Sequence, residues 1–178
     1  MDTNSTAAEP TLRRMEVRVA TADDALAVET IRVHGWRAAY RHVLPANDLD
    51  AMPIDPARWE PRLASPPRGW TTFVAEDEGV VVGFASVGPS RDRHGDGELY
   101  AIYVEPTRWS TGAGRALLLR AEEQLRSEYD TPTLWVLEDN PRARRFYESG
   151  GWWPDGERKA EERFGVRAPE VRYRKELR

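Results

Sequence analysis

The segment VEPTRWSTGAGRALLLR, residues 104–120, leaves an apolar run, bends through Gly112 and Gly114, and enters a helical pattern. Two glycines one residue apart at a strand-to-helix junction let successive backbone N–H groups approach a negative charge. The dipole of the helix that follows adds roughly half a positive charge at that end. The chemistry this suits is phosphate binding, by the backbone of Ser110, Thr111, Gly112, Ala113 and Gly114. Further on, LWVLEDNPRARRFYESGGW separates Asn140 from Tyr147 by seven residues. That is about two helical turns, so an amide and a phenol can face one groove.

Three phosphate-binding solutions compete for the glycine turn. A Walker A loop needs Lys and then Ser or Thr after its last glycine, and Gly114 is followed by Arg115-Ala116. A dinucleotide fingerprint wants Gly or Ala three positions after the second glycine, where Leu117 stands. The third solution is the pyrophosphate of coenzyme A. The bland alternative is a bare tight turn that packs a helix on a strand.

The elements that must position these residues alternate along the chain. Residues 1–14 read as a loose tail, and residues 15–178 as one domain. A strand at residues 16–20 precedes a helix that starts at Thr21, with Asp24 as the reciprocal cap, and runs to about Tyr40. Leu26, Glu29, Val33, Trp36 and Tyr40 fall on one face of it. Residues 45–67 are punctuated by proline and hold short helices around Asp48 and over 57–63. A hairpin turns at residues 77–79, and the loop PSRDRHGDG leads to a strand over 98–104. Helices follow at residues 112–129 and, after the Asn140-Pro141 cap, up to Gly150. A strand (TLWVLE) lies between them, and two more follow Trp152. The order predicts a single α/β or α+β domain.

Composition narrows the field. A chain of 178 residues, 40% hydrophobic and 31% charged, is an ordinary globule. Its net charge of −4 argues against an extended nucleic-acid surface. There is no cysteine, which excludes disulfides, thiolate metal sites and a cysteinyl acyl-enzyme. No secretory signal or membrane-length apolar run is visible, so the expected location is the cytoplasm. His34, His42 and His94 form no ligand-spaced set, and no metal is expected.

Together, the glycine turn and the Asn140…Tyr147 segment resemble the GNAT superfamily of acetyl-CoA-dependent N-acetyltransferases, from Val17 to the final VRYRKEL. The resemblance implies a mostly antiparallel mixed sheet of about seven strands flanked by helices, with acyl-CoA in the cleft between the fourth and fifth strands. It implies cofactor contacts at Ile102, Tyr103, Val104, Trp109, Ser110, Thr111, Gly112, Ala113, Gly114, Arg115, Asn140 and Ala143, the Ile102 N–H meeting the thioester carbonyl. Glu98 would be the general base and Tyr147 the general acid in direct attack by a primary amine. One departure stands out: the family's pattern is Arg or Gln, two residues, Gly, one residue, then Gly or Ala, and the first slot, three positions before Gly112, is Trp109 here, with Arg108 one place early.

The acceptor wall is expected from Trp36, Tyr40 and Glu29, closed by the loop GPSRDRHGDGE and the segment ERFGVRAPE. An aromatic pair suits an amine by cation–π contact, worth about 0.5–2 kcal/mol. The other reading of Trp36 and Tyr40 is helix core. The expected acceptor is a small-molecule or peptide amine. Two rivals remain: a coenzyme A sensor without turnover, and an acyltransferase for a tRNA-linked or ribosomal amine using the clusters RARR and RYRK. A final strand exposed after Arg167 would allow a homodimer.

Overall fold

The computed structural model describes residues 15–177; the tail expected over residues 1–14 lies outside the described residues. Seven strands, β1 (Glu16–Val19), β2 (Thr71–Asp77), β3 (Val80–Pro89), β4 (Gly97–Val104), β5 (Thr133–Leu137), β6 (Trp153–Arg163) and β7 (Val166–Arg174), form one sheet. Their order is β1-β2-β3-β4-β5-β7-β6. Every pairing is antiparallel except β4 with β5. The mixed, mostly antiparallel sheet is the one the family resemblance implies. The last strand is not the free edge a dimer would need, because β7 is flanked by β5 and β6.

The helices are α1 (Ala25–Ala39), α2 (Ala46–Asp50), α3 (Glu60–Ala64), α4 (Ala113–Arg126) and α5 (Pro141–Ser149). On one face of the sheet, Val28 and Ile31 of α1 pack on Val74 and Phe84. On the other, Leu117, Leu118 and Leu125 of α4 pack with Phe73, Leu99 and Leu134. Each fully buried side chain of this kind contributes about 1.5–3 kcal/mol. Thr21 starts the first helical segment as expected, its N–H donating to the Asp24 carboxylate at 2.7 Å. Leu26 departs from the sequence reading: it is 58% exposed. The inner stripe of α1 is centred on Ala25, Val28 and Ile31, and a residue one step along is rotated about 100° away from it. No helix among the described residues is long and apolar enough to cross a membrane.

The feature that makes a site is an irregularity in β4. Ser86 pairs with Ala101 but Val87 pairs with Leu99, so Tyr100 is an extra residue, a β-bulge. A bulge bends its strand and reverses the alternation of side chains. Leu99 before it and Ile102 and Val104 after it face α4, whereas Ala101 and Tyr103 face α1. The same bend ends the pairing with β5, which is limited to Glu98 with Thr133 and Leu99 with Leu134. Beyond that point the two parallel strands part.

Candidate active site

The parted strands open a cavity of ≈ 610 Å³ that passes between the two faces of the sheet. Its β4 wall is Tyr100 to Val104 and its β5 wall is Trp135 to Leu137. Strand edges turned away from a partner present main-chain N–H and C=O groups, and an extended ligand can hydrogen-bond to them as an added strand would.

At one end of the cavity lies the glycine turn. Gly112 caps α4 with φ 96°, a left-handed conformation that glycine adopts at no steric cost. The first helical bond is Ala116 N–H to the Gly112 carbonyl at 3.0 Å. The N–H groups of Ala113, Gly114 and Arg115 therefore have no partner within the helix. Ser110, Gly112, Gly114 and Arg115 line the cavity, while Thr111 and Ala113 do not. The Thr111 hydroxyl donates to the Arg108 carbonyl, and Ala113 is fully buried, so these two shape the turn behind the wall. Main-chain donors, two open strand edges and a cavity of this size fit the pyrophosphate and amide arm of coenzyme A.

The departure at Trp109 has a structural explanation. Its indole N–H donates to the Val104 carbonyl at 2.9 Å, which pins the ring across the end of β4. The Arg142 guanidinium, from the first turn of α5, lies 3.7 Å from the centre of that ring. Arg108, the nearest polar residue in sequence, is held outside the cavity by Asp77 at 2.8 Å. Sequence spacing missed Arg142, because its relation to Trp109 crosses the cleft. The wider basic clusters are largely committed as well: Arg144 bonds Tyr173, Arg172 pairs with Asp155, and Lys175 with Glu122.

Opposite the turn, α5 begins as its sequence dictates. The Asn140 side chain accepts the Ala143 N–H at 3.0 Å, with Pro141 at the first helical position. Asn140, Ala143 and Tyr147 all line the cavity. Tyr147 is 7% exposed. Burial, with the neighbouring Tyr103, pushes its phenol well above the usual range, so it stays protonated. Its hydroxyl makes no hydrogen bond to any described residue.

Of the two expected catalytic side chains, the cavity wall includes only Tyr147. Glu98 is 0% exposed. Its carboxylate accepts the Arg91 main-chain N–H at 2.9 Å and Nε at 3.0 Å, and also Arg91 Nη2. Both oxygens are thus occupied by Arg91, and Arg91, not Glu98, reaches the cavity. The carboxylate that does line it is Glu170 on β7, paired with Arg163 at 2.9 Å. Burial raises the Glu170 carboxyl against the opposing pull of Arg163. The pairing of β7 with β5 carries Glu170 to the wall, a relation invisible in local sequence.

The α1 wall also differs from expectation in detail. Trp36 and Tyr40 line the cavity and Glu29 does not. Glu29 is 1% exposed and accepts both Arg32 Nε and Nη2 at 2.7 Å and the Trp59 indole N–H at 2.8 Å. It positions two wall residues from behind. The Trp36 ring does not wait for an amine, since Arg32 lies 5.7 Å and Arg163 5.1 Å from its centre. Its N–H donates to the Tyr103 hydroxyl at 2.9 Å, which also meets the Tyr40 hydroxyl at 3.2 Å. Tyr103 can cross under α1 only because residue 35 is glycine: a Cβ there would sit 2.8 Å from the ring.

The fold and this cavity together define an acyl-CoA-dependent transferase, and sequence comparison agrees. Residues 33–152 match the Acetyltransferase (GNAT) family. The chain is 39% identical over 164 residues to the uncharacterized N-acetyltransferase YuaI of Bacillus subtilis (strain 168), across 87% of this chain and 89% of that protein. It is 30% identical to Rv2775 of Mycobacterium tuberculosis, across 90% and 92% of the two chains. Among solved structures, yncA of Salmonella typhimurium with its cofactor acetyl-CoA superposes with a TM-score of 0.71 at 24% identity, covering 93% of this chain and 95% of that one. This chain belongs to the GNAT family and is an acetyl-CoA-dependent acetyltransferase.

Proposed function

We propose that the protein moves an acetyl group from acetyl-CoA to the primary amine of a small acceptor, by direct attack with both substrates bound. The observation that supports this reading is one cavity in which an anion-binding turn, two open strand edges, a buried phenol and a polar α1 wall meet. Acetyl-CoA supplies the acyl group, activated as a thioester.

The chain's own residues then divide the work. The N–H groups at residues 112–115 hold the phosphates, while the β4 edge at Ile102, Tyr103 and Val104 and the Asn140 side chain hold the arm. The Ile102 N–H is the donor we assign to the carbonyl. Arg142, carried on Trp109, takes over from the polar side chain the family usually has three positions before its first glycine. A charge-assisted bond of this kind contributes about 1.5–3 kcal/mol. Arg142→Gln is therefore expected to raise the Kd for acetyl-CoA roughly tenfold or more. Calorimetric titration checks it, and an unchanged Kd would dismiss the clamp.

Tyr147 gives a proton to the departing sulfur. An amine of lysine type has a pKa of about 10.4 and must lose a proton to attack. With Glu98 enclosed by Arg91, we assign the proton acceptor to Glu170, directly or through a water, and leave Glu98 as the group that holds Arg91. The test is thiol release from acetyl-CoA across a range of amines and pH. Glu170→Gln is expected to lower kcat/KM about a hundredfold at neutral pH. The loss should shrink as pH approaches the amine's own pKa. Identical pH profiles for the variant and the parent would remove Glu170 from the mechanism.

A further inference from the structure

We propose that the acceptor is an amine whose skeleton also carries an oxyanion, a carboxylate or a phosphorus oxyacid, and that Arg58 and Arg62 receive that group at the α1 side of the cavity. This rests on reading the cavity as the site of acetyl transfer.

The charge of the cavity runs against that of the chain. The protein has a formal net charge of −4. Yet the acceptor half is lined by Arg32, Arg58, Arg62, Arg91 and Arg163 against two carboxylates, Glu161 and Glu170. Each of those two accepts a hydrogen bond from Arg163, at 2.8 and 2.9 Å. Glu29 and Glu98, both buried, hold Arg32 and Arg91 from behind the wall, so these guanidiniums are neutralised but fixed in direction. Arg58 and Arg62 are different. Both are exposed, both line the cavity, and neither guanidinium has a hydrogen bond or ion pair with any described residue.

Their placement is built rather than incidental. They flank Trp59, whose indole is tied to Glu29 and whose ring packs on Phe84 at 5.2 Å between centroids. Arg58 is close enough to Glu29 to help keep that carboxyl below its usual range. The segment is thus anchored to α1 and to the sheet, with two unpaired forks left at the rim. Planar guanidinium groups match oxyanions in bidentate geometry, which a carboxylate or phosphonate satisfies and an amide does not.

The same field acts on the reacting amine. A cation is disfavoured among other cations, which lowers the proton affinity of the acceptor nitrogen and favours the neutral nucleophile. A polyamine would bring further positive charge against the two unpaired guanidiniums. An amine with its own oxyanion gains an anchor and keeps a net charge the cavity accepts. The phosphates of the co-substrate do not compete for these arginines, because their donors are at the glycine turn, at the other end of the cleft.

The experiment uses the full chain with saturating acetyl-CoA and reads thiol release. Amines are supplied in pairs that differ in the oxyanion: glycine, leucine, glutamate and 4-aminobutyrate, and an aminoalkylphosphonate, each beside its amide or the parent alkylamine, with spermidine as the polycation. The oxyanion member of the active pairs is expected to win by tenfold or more in kcat/KM, as one or two charge-assisted bonds require. Arg58→Gln and Arg62→Gln are each expected to raise its KM about tenfold. The Kd for acetyl-CoA in the same variants reports on folding. Preference for the uncharged members or for spermidine would overturn the proposal, as would a KM indifferent to both substitutions.

If no amine turns over, the reading of the cavity as a transfer site fails, and the oxyanion site is decided separately. With coenzyme A saturating the glycine turn, inorganic phosphate is titrated against tryptophan emission. A saturable change that both variants weaken supports the site. No change, or one that the variants leave intact, overturns it.

Discussion

Tyr147→Phe is expected to lower kcat about a hundredfold while the Kd for acetyl-CoA changes less than about twofold, since a positioned proton donor contributes 10²–10⁴ to rate. The physical basis is the isolation of the phenol. It is buried in the cavity wall, it is held protonated by burial, and its hydroxyl has no partner among the described residues. A thiol has a pKa of about 8.5 and a phenol about 10, so the proton moves only as the carbon–sulfur bond breaks, when the sulfur becomes basic. Phenylalanine keeps the ring that packs edge-on to Phe146, with 5.3 Å between centroids, so the fold should tolerate the change. Single-turnover thiol release separates this step from binding. A kcat within a factor of about two of the parent would remove Tyr147 from catalysis and leave it as packing.

Glu29→Ala is expected to cost about 3–5 kcal/mol of unfolding free energy, the usual price of breaking a buried pair by deleting one partner. Glu29 is 1% exposed and accepts hydrogen bonds from Arg32 and Trp59. Its removal leaves a guanidinium and an indole N–H without partners in the wall of the cavity. The cost has a pH signature. Burial alone would raise the Glu29 carboxyl, but the hydrogen bonds from Arg32 and Trp59 hold it below its usual value. A carboxyl depressed in the folded state contributes stability that is present above its unfolded pKa and is lost as pH falls through the folded one. The difference between parent and variant in urea denaturation should therefore be full near neutrality and shrink in acid. A loss under about 1 kcal/mol at neutral pH would mean that Arg32 finds another partner, and that Glu29 does not set the wall.

Those two residues mark the boundary of what local sequence carries. Tyr147 was legible because its partner Asn140 lies on the same short helix, where a fixed rise and twist convert spacing into direction. The glycine turn was legible for the same reason, being a strand end, a left-handed glycine and a helix start in one run. Glu29 and Glu98 were legible as acids but not as to their partners. Whether a buried carboxylate is a base, a ligand or a strut depends on what faces it, and here Arg32, Trp59 and Arg91 do.

By itself, then, the sequence determined the alternation of strands and helices, the glycine turn at a helix start and the placement of Asn140 and Tyr147 on one helix, because each rests on contacts within a few residues. Only the tertiary structure decided that Tyr100 bulges and that β4 and β5 part. It alone brings Arg142 across the cleft onto Trp109, carries Glu170 on β7 into the wall, and gathers arginines from four segments at one mouth. Each of these is a relation between residues distant in the chain. Such relations are fixed by sheet register and by which face a bulge turns inward, and no local periodicity encodes them.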